Sequence, residues 1–81
     1  MNKKKQKLME TKFIALLADI IKVNANEINL HDKFREYENW DSLSYLSVIA
    51  MLDEEFEIQI ETKDFKTLIT VEDLINKIKE G

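Results

Sequence analysis

A chain of 81 residues can build one modest core and is too short for two, so a single domain spanning 1–81 is predicted. With no Cys, one His, no Pro and one Gly, it lacks the parts for a disulfide framework, a thiolate nucleophile or metal site, or a glycine-rich phosphate loop. The net charge is -4, and eight acidic residues with no Lys or Arg lie between Glu36 and Thr62, a field that repels nucleic-acid phosphates and attracts basic protein surfaces.

The chain opens on a basic run, Lys3, Lys4, Lys5 and Lys7, which reads as a solvated, frayed end over residues 1–7 rather than a nucleic-acid arm. From 5 to 22, Leu8, Met9, Phe13, Leu16, Leu17, Ile20 and Ile21 recur at steps of three and four, the apolar stripe of a helix. Asn24 and Asn26 supply its stop, because Asn tolerates the left-handed conformation found past helix ends. Periodicity is then lost as far as Trp40, and Ile28, Leu30 and Phe34 are the anchors that pin this long loop to the core. His31 lies in the loop without a second metal-ligating or catalytic group beside it and receives no role.

The loop ends in Glu38-Asn39-Trp40-Asp41-Ser42-Leu43-Ser44-Tyr45-Leu46. The first N–H groups of a helix lack internal partners, and Asp41 supplies an acceptor for them as N-cap. Trp40 and Tyr45 then occupy the two positions of a hydrophobic staple. Ser42 falls at the first helical position, where its hydroxyl has no structural duty and can face solvent. A phosphate ester placed there would lie beside unpaired N–H groups and the positive end of the helix dipole.

Helix 2 is predicted from Ser42 to Phe56, with Tyr45, Val48, Ile49, Leu52 and Phe56 facing the core. Leu43, Leu46 and Ala50 form a second strip beside Ser47, Asp53 and Glu54. Pattern alone fits equally a helix buried on two sides and a helix with an exposed apolar strip. Phe56, Ile58 and Ile60 alternate, yet there is no second alternating segment to pair with, so an extended connector is predicted. A short helix follows over 62–67, with Phe65 and Leu68 facing the core. Thr70 with Asp73 three residues on forms a capping box, and the last helix buries Val71, Leu74, Ile75 and Ile78. The predicted fold class is all-α, an antiparallel four-helix bundle of three main helices and one short helix, with a long first loop. No apolar run approaches a membrane span and no signal-peptide core follows the basic start, which predicts a cytoplasmic monomer with no membrane or nucleic-acid partner.

Asp41-Ser42-Leu43, followed by a helix ending in Asp53-Glu54-Glu55-Phe56, resembles the Asp-Ser-Leu motif and second helix of acyl carrier proteins. Phe34, Phe56, Ile60 and Ile69-Thr70-Val71 fall at family positions without gaps, and the resemblance covers residues 8–79. It implies that a phosphopantetheinyl transferase attaches 4'-phosphopantetheine from coenzyme A to Ser42, with Asp41 near the transferase's Mg2+. It further implies a carrier rather than an enzyme, holding an acyl or aminoacyl group as a thioester on the arm. The missing Cys then has a reason, since the arm brings the thiol. In this family the strip and acids of helix 2, here Leu43, Leu46, Ser47, Ala50, Asp53 and Glu54, meet acyl-loading and acyl-using enzymes with basic docking surfaces.

The chain departs from the housekeeping fatty-acid carriers at four places beside that site. Glu38 and Asn39 replace the usual Leu-Gly, and Asn39 can stand in for Gly if a left-handed backbone is needed. Trp40 is bulkier than the usual occupant, and Ser47 stands where an acid is general. These departures point to a specialised pathway rather than general fatty-acid synthesis. The competing class is an unmodified acidic helical interaction module, with Ser42 merely part of a turn.

Overall fold

A computed structural model describes residues 3–80. Four α-helices follow in order, α1 (Lys3–Ile21), α2 (Ser42–Phe56), α3 (Thr62–Phe65) and α4 (Val71–Glu80), with 3-10 turns at Ala25–Glu27 and Phe34–Glu36 in the first connection. The all-helical class is as predicted: among the described residues there is no strand, only an isolated bridge between Lys33 and Thr70. Helix α1 begins at Lys3, inside the 1–7 stretch expected to fray, while Met1 and Asn2 lie outside the described residues. No helix among the described residues is long and apolar enough to cross a membrane.

Contacts at the helix ends give the directions. Lys12 Nζ lies 3.1 Å from Glu55 Oε1 and the Phe13 ring meets Phe56 edge-on, whereas Asn39, just before α2, reaches Ile21 at the other end of α1. Helices α1 and α2 are therefore antiparallel. Lys79 near the end of α4 reaches Glu10 in the first half of α1 (3.4 Å), tying the last helix to the first.

The core gathers Phe13, Leu17 and Ile21 from α1, Val48 and Leu52 from α2, Phe65 from α3 and Val71, Leu74 and Ile75 from α4, with Ile28 and Phe34 from the loop. Each such side chain, fully buried, contributes roughly 1.5–3 kcal/mol. Ala18 and Met51 join them although the helical stripes left them out, and Ile78 is only half-buried. Leu8, assigned to the α1 stripe, is instead 67% exposed. Met9 beside it is partly buried against the core, so Leu8 lies off the face of α1 that packs.

The long loop has a structural task. The N–H groups that open α4 have no partners within the helix, and the loop provides them: Val71 N–H donates to the Asp32 carbonyl (2.9 Å) and Glu72 N–H to the Leu30 carbonyl (2.9 Å). The Thr70 box completes the cap, Asp73 N–H donating to Thr70 Oγ1 (3.1 Å) and Thr70 N–H to Asp73 Oδ2 (3.0 Å).

Two helix ends differ from expectation. Helix α1 stops at Lys22, not at Asn24 or Asn26: Lys22 has φ 60° and Val23 N–H bonds back to the Ala18 carbonyl. The stop is set where the last core contact, Ile21, has been made, and Asn24 instead opens the next turn. Helix α3 ends at Phe65 rather than 67, because Thr67 N–H and Leu68 N–H bond three residues back, to the Asp64 and Phe65 carbonyls. Glu57 closes α2 in the same left-handed region, at φ 57°.

A left-handed residue other than Gly is strained, and Glu57 also sets a carboxylate near the negative end of the α2 dipole. Lys22→Gly and Glu57→Gly are each expected to raise stability by about 0.5–1 kcal/mol, Glu57→Gly more. Urea denaturation midpoints of the two variants check this.

Candidate functional site

The start of α2 is built as the local rules require, with one addition. Asp41 is the N-cap, extended at φ -151° and ψ -170°, and its Oδ1 accepts from Ser44 N–H at 2.8 Å. Ser44 returns the bond, its Oγ accepting from Asp41 N–H at 3.3 Å. That hydroxyl also lies 3.1 Å from Asp41 Oδ1 and 3.2 Å from the Asn39 carbonyl, either of which can take its proton. Ser44 is 5% exposed, the buried polar residue of the α2 stripe. The sequence reading missed it, although a serine three residues after the cap and four before Val48 was a signal for both roles.

Ser42 stands between these two partners and takes no part. The cap's hydrogen bonds run among Asp41, Ser44 and Asn39, none engages the Ser42 hydroxyl, and Ser42 is exposed. The charge beside it is fixed: the Ser44 N–H first, and then the Ser44 hydroxyl, hold the Asp41 carboxyl below its ordinary 3.8.

Asn39 is not left-handed; among the described residues only Lys22 and Glu57 have positive φ outside Gly. Its side chain works instead, Nδ2 donating to the Ile21 carbonyl at 3.2 Å. One orphan carbonyl of the α1 end is satisfied and the turn before Ser42 is tied to α1.

The expected Trp40–Tyr45 staple is replaced by a longer aromatic chain. Trp40 packs edge-on against Phe34 (centroids 5.2 Å), Phe34 against Phe65 (5.5 Å) and Phe65 against Tyr45 (5.0 Å). Two buried rings from the loop and α3 thus outcompete the local pair, since they offer edge-to-face contact in a dry setting. Arg35 fastens this wall: its guanidinium lies over Phe34 and Phe65 and donates to the Phe65 and Leu68 carbonyls at the end of α3.

Beside Ser42 the wall leaves an open groove of about 490 Å³, lined by Arg35, Trp40, Asp41, Ser42, Tyr45, Thr62, Phe65 and Lys66. Arg35, Thr62 and Lys66 had no marker in the sequence, being brought there by the fold.

The second strip of α2 lies open. Leu43 is 72% and Leu46 57% exposed, and Ser47, Ala50, Asp53 and Glu54 are exposed around them. No element of the bundle covers that side, which settles the alternative that periodicity left undecided. Ser47, Ala50 and Glu54 also border a trough of about 290 Å³ shared with Leu16, Asp19 and Ile20 of α1. His31 is exposed.

Comparison with known proteins places this geometry. Residues 11–78 match the family described as "Phosphopantetheine attachment site". The chain belongs to the acyl carrier protein family. An acyl carrier protein of Chlamydia felis is 38% identical over 64 residues, 79% of this chain and 82% of that protein. One from Campylobacter jejuni subsp. doylei is 33% identical over 64 residues, covering 79% and 83%, and one from Chlamydia caviae is 35% identical over 65, covering 80% and 84%. Membership in the carrier family brings a covalently held 4'-phosphopantetheine. The site fits such a group, with an exposed hydroxyl on a helix start and an open groove next to it.

Ser44→Ala removes a buried hydroxyl and strips Asp41 N–H of its acceptor, and is expected to cost about 1–3 kcal/mol in a denaturant titration. Asp41 and Asp73, both held below the ordinary 3.8 chiefly by backbone N–H donors, bind protons less readily folded than unfolded. Their contribution is full above about pH 4 and lost as pH falls through the lowered values. Asp41→Asn, a neutral cap, should therefore show a shallower loss of stability below pH 4 than the parent in acid titrations followed by circular dichroism.

Proposed function

We propose that Ser42 is the phosphopantetheine attachment residue and that the protein carries an acyl or aminoacyl thioester for a specialised pathway. One observation carries the assignment: the Ser42 hydroxyl is exposed and unengaged, while Asp41 and Ser44 complete the cap without it. A side chain that did the capping could not be esterified without opening the helix. With no histidine or lysine base in hydrogen-bond contact, that hydroxyl is a weak nucleophile, and its activation falls to the modifying enzyme. When bound, the prosthetic group supplies the thiol that a chain without Cys lacks.

The chain's own residues do the rest. Asp41 fixes the start of α2 and keeps a negative charge beside Ser42, near the transferase's Mg2+ by family analogy. Leu43, Leu46 and Ala50 give a small apolar centre, and Asp53 and Glu54 an acidic rim beside Ser47. Transient interfaces are built this way, and the acidic field speeds encounter with basic partner enzymes. Trp40 and Ser47, both unlike the housekeeping carriers, sit on the two faces a partner must read. They support a dedicated carrier acting with its own loading and using enzymes.

Co-expression with a phosphopantetheinyl transferase is expected to add the mass of one phosphopantetheine, and Ser42→Ala to abolish the addition. No addition with several transferases would favour the unmodified interaction module. For the pathway, loading by enzymes encoded beside the protein should exceed loading by fatty-acid synthesis enzymes by tenfold or more in kcat/KM, about 1.4 kcal/mol of discrimination. Equal use of both would overturn the specialised reading.

A further inference from the structure

We infer that Phe65 closes the bundle to the cargo, so that the acyl group travels in water at the end of its arm and belongs to the class of short or polar acyl groups rather than long saturated chains. This deepens the carrier reading and rests on attachment at Ser42 as proposed above.

An alkyl chain is sheltered only where apolar side chains replace water along its length. From Ser42 the direct way into the core runs between α2 and α3, through the groove beside the serine, and of the buried core side chains that groove touches Phe65 alone. The Phe65 ring stops the way. It is 2% exposed, meets Phe34 at 5.5 Å and Tyr45 at 5.0 Å, both edge to face, and has the Arg35 guanidinium 5.1 Å from its centroid. Its backbone is held as well, the Phe65 carbonyl accepting from Arg35 Nη2 at 2.9 Å. A chain entering here must expel an aromatic side chain from all of these contacts at once.

The core that Phe65 belongs to offers no easier place. Phe34, Val48, Leu52 and Leu74 are 0% exposed and packed with it as one cluster, and at the other end of α2 Phe56 meets Phe13 edge-on at 6.2 Å. Inserting further methylenes into a packed interior forces side chains off their rotamers and shifts the backbone. The trough between α1 and α2 is no substitute: Leu16, Ile20 and Met51 line it, but so do Asp19, Glu54 and Glu55. An alkyl chain lying there would strip water from their carboxylates without supplying a partner. A carrier that gives no shelter suits cargo that needs none, an acyl group of few carbons or one whose hydroxyl or ammonium keeps it hydrated.

The protein is loaded from acetyl-, butyryl-, hexanoyl- and octanoyl-coenzyme A by a broad-specificity phosphopantetheinyl transferase, each product is checked by intact mass, and the rate of thioester cleavage by hydroxylamine is divided by that of the same acyl-coenzyme A. The quotient is expected to stay constant within about twofold from acetyl to octanoyl, whereas shelter for nine-tenths of the time would slow the octanoyl form about tenfold. Phe65→Ala, or the milder Phe65→Leu if the first does not fold, opens the way and should slow cleavage of the octanoyl form about threefold or more while leaving the acetyl form unchanged. The inference is overturned if the parent's quotient falls with chain length, or if a folded Phe65 variant protects the octanoyl form no better than the parent. Hydroxamates released from protein purified from its own cells should be short or polar, and a long saturated one would overturn the cargo class. A missing mass increase would instead refute attachment at Ser42, so the two failures are told apart.

Discussion

A helix start exposes several backbone N–H groups that must find acceptors, and in α2 this demand is met by residues on either side of Ser42. Asp41 and Ser44 cap each other, and Asn39 fastens the turn to the end of α1. Ser42 is held in place by a frame in which it bears no load. On the reading proposed above, a group can therefore be added to its hydroxyl without undoing the cap of α2. Ser44 is the less visible half of this arrangement, being buried where a partner enzyme cannot reach it.

The same helix has two unlike surroundings. Towards α3 its neighbours are aromatic and crowded, the rings of Trp40, Phe34, Phe65 and Tyr45 forming one run of edge-to-face contacts. Towards solvent it presents Leu43 and Leu46 with acids near by and nothing of its own fold over them. Ser42 lies where these surroundings meet. An exposed apolar strip and an aromatic-walled groove thus share one short helix start, and both are positioned by the same cap.

Much of this was legible in the residues. The stripes of α1, α2 and α4 follow helical spacing, and the caps at Asp41 and Thr70 rest on chemistry confined to four residues, so local reasoning reached them. The partners of Trp40 and Tyr45 were not legible: adjacency in sequence favoured each other, whereas Phe34 and Phe65 arrive from distant segments and win. The end of α1 was misplaced for a related reason, since Lys22 takes the left-handed backbone expected of Asn24 or Asn26, against its own preference, whereas α2 ends at Phe56 as read. Asn39 was read for its backbone, and its side chain proved to matter. Periodicity could not decide whether the second strip of α2 is covered, because that depends on whether another element exists to lie on it.

Helix α3 has four residues, too few to sustain itself through its own hydrogen bonds. The Phe65 carbonyl at its end and the Leu68 carbonyl beyond it are gripped by the Arg35 guanidinium from a segment some thirty positions earlier. This wall of the groove beside Ser42 is thus anchored twice, by the guanidinium outside and by Phe65, buried in the core beneath it. The start of α2 and this flank are held by different means, a cap made by sequence neighbours on one side and a clasp between distant segments on the other.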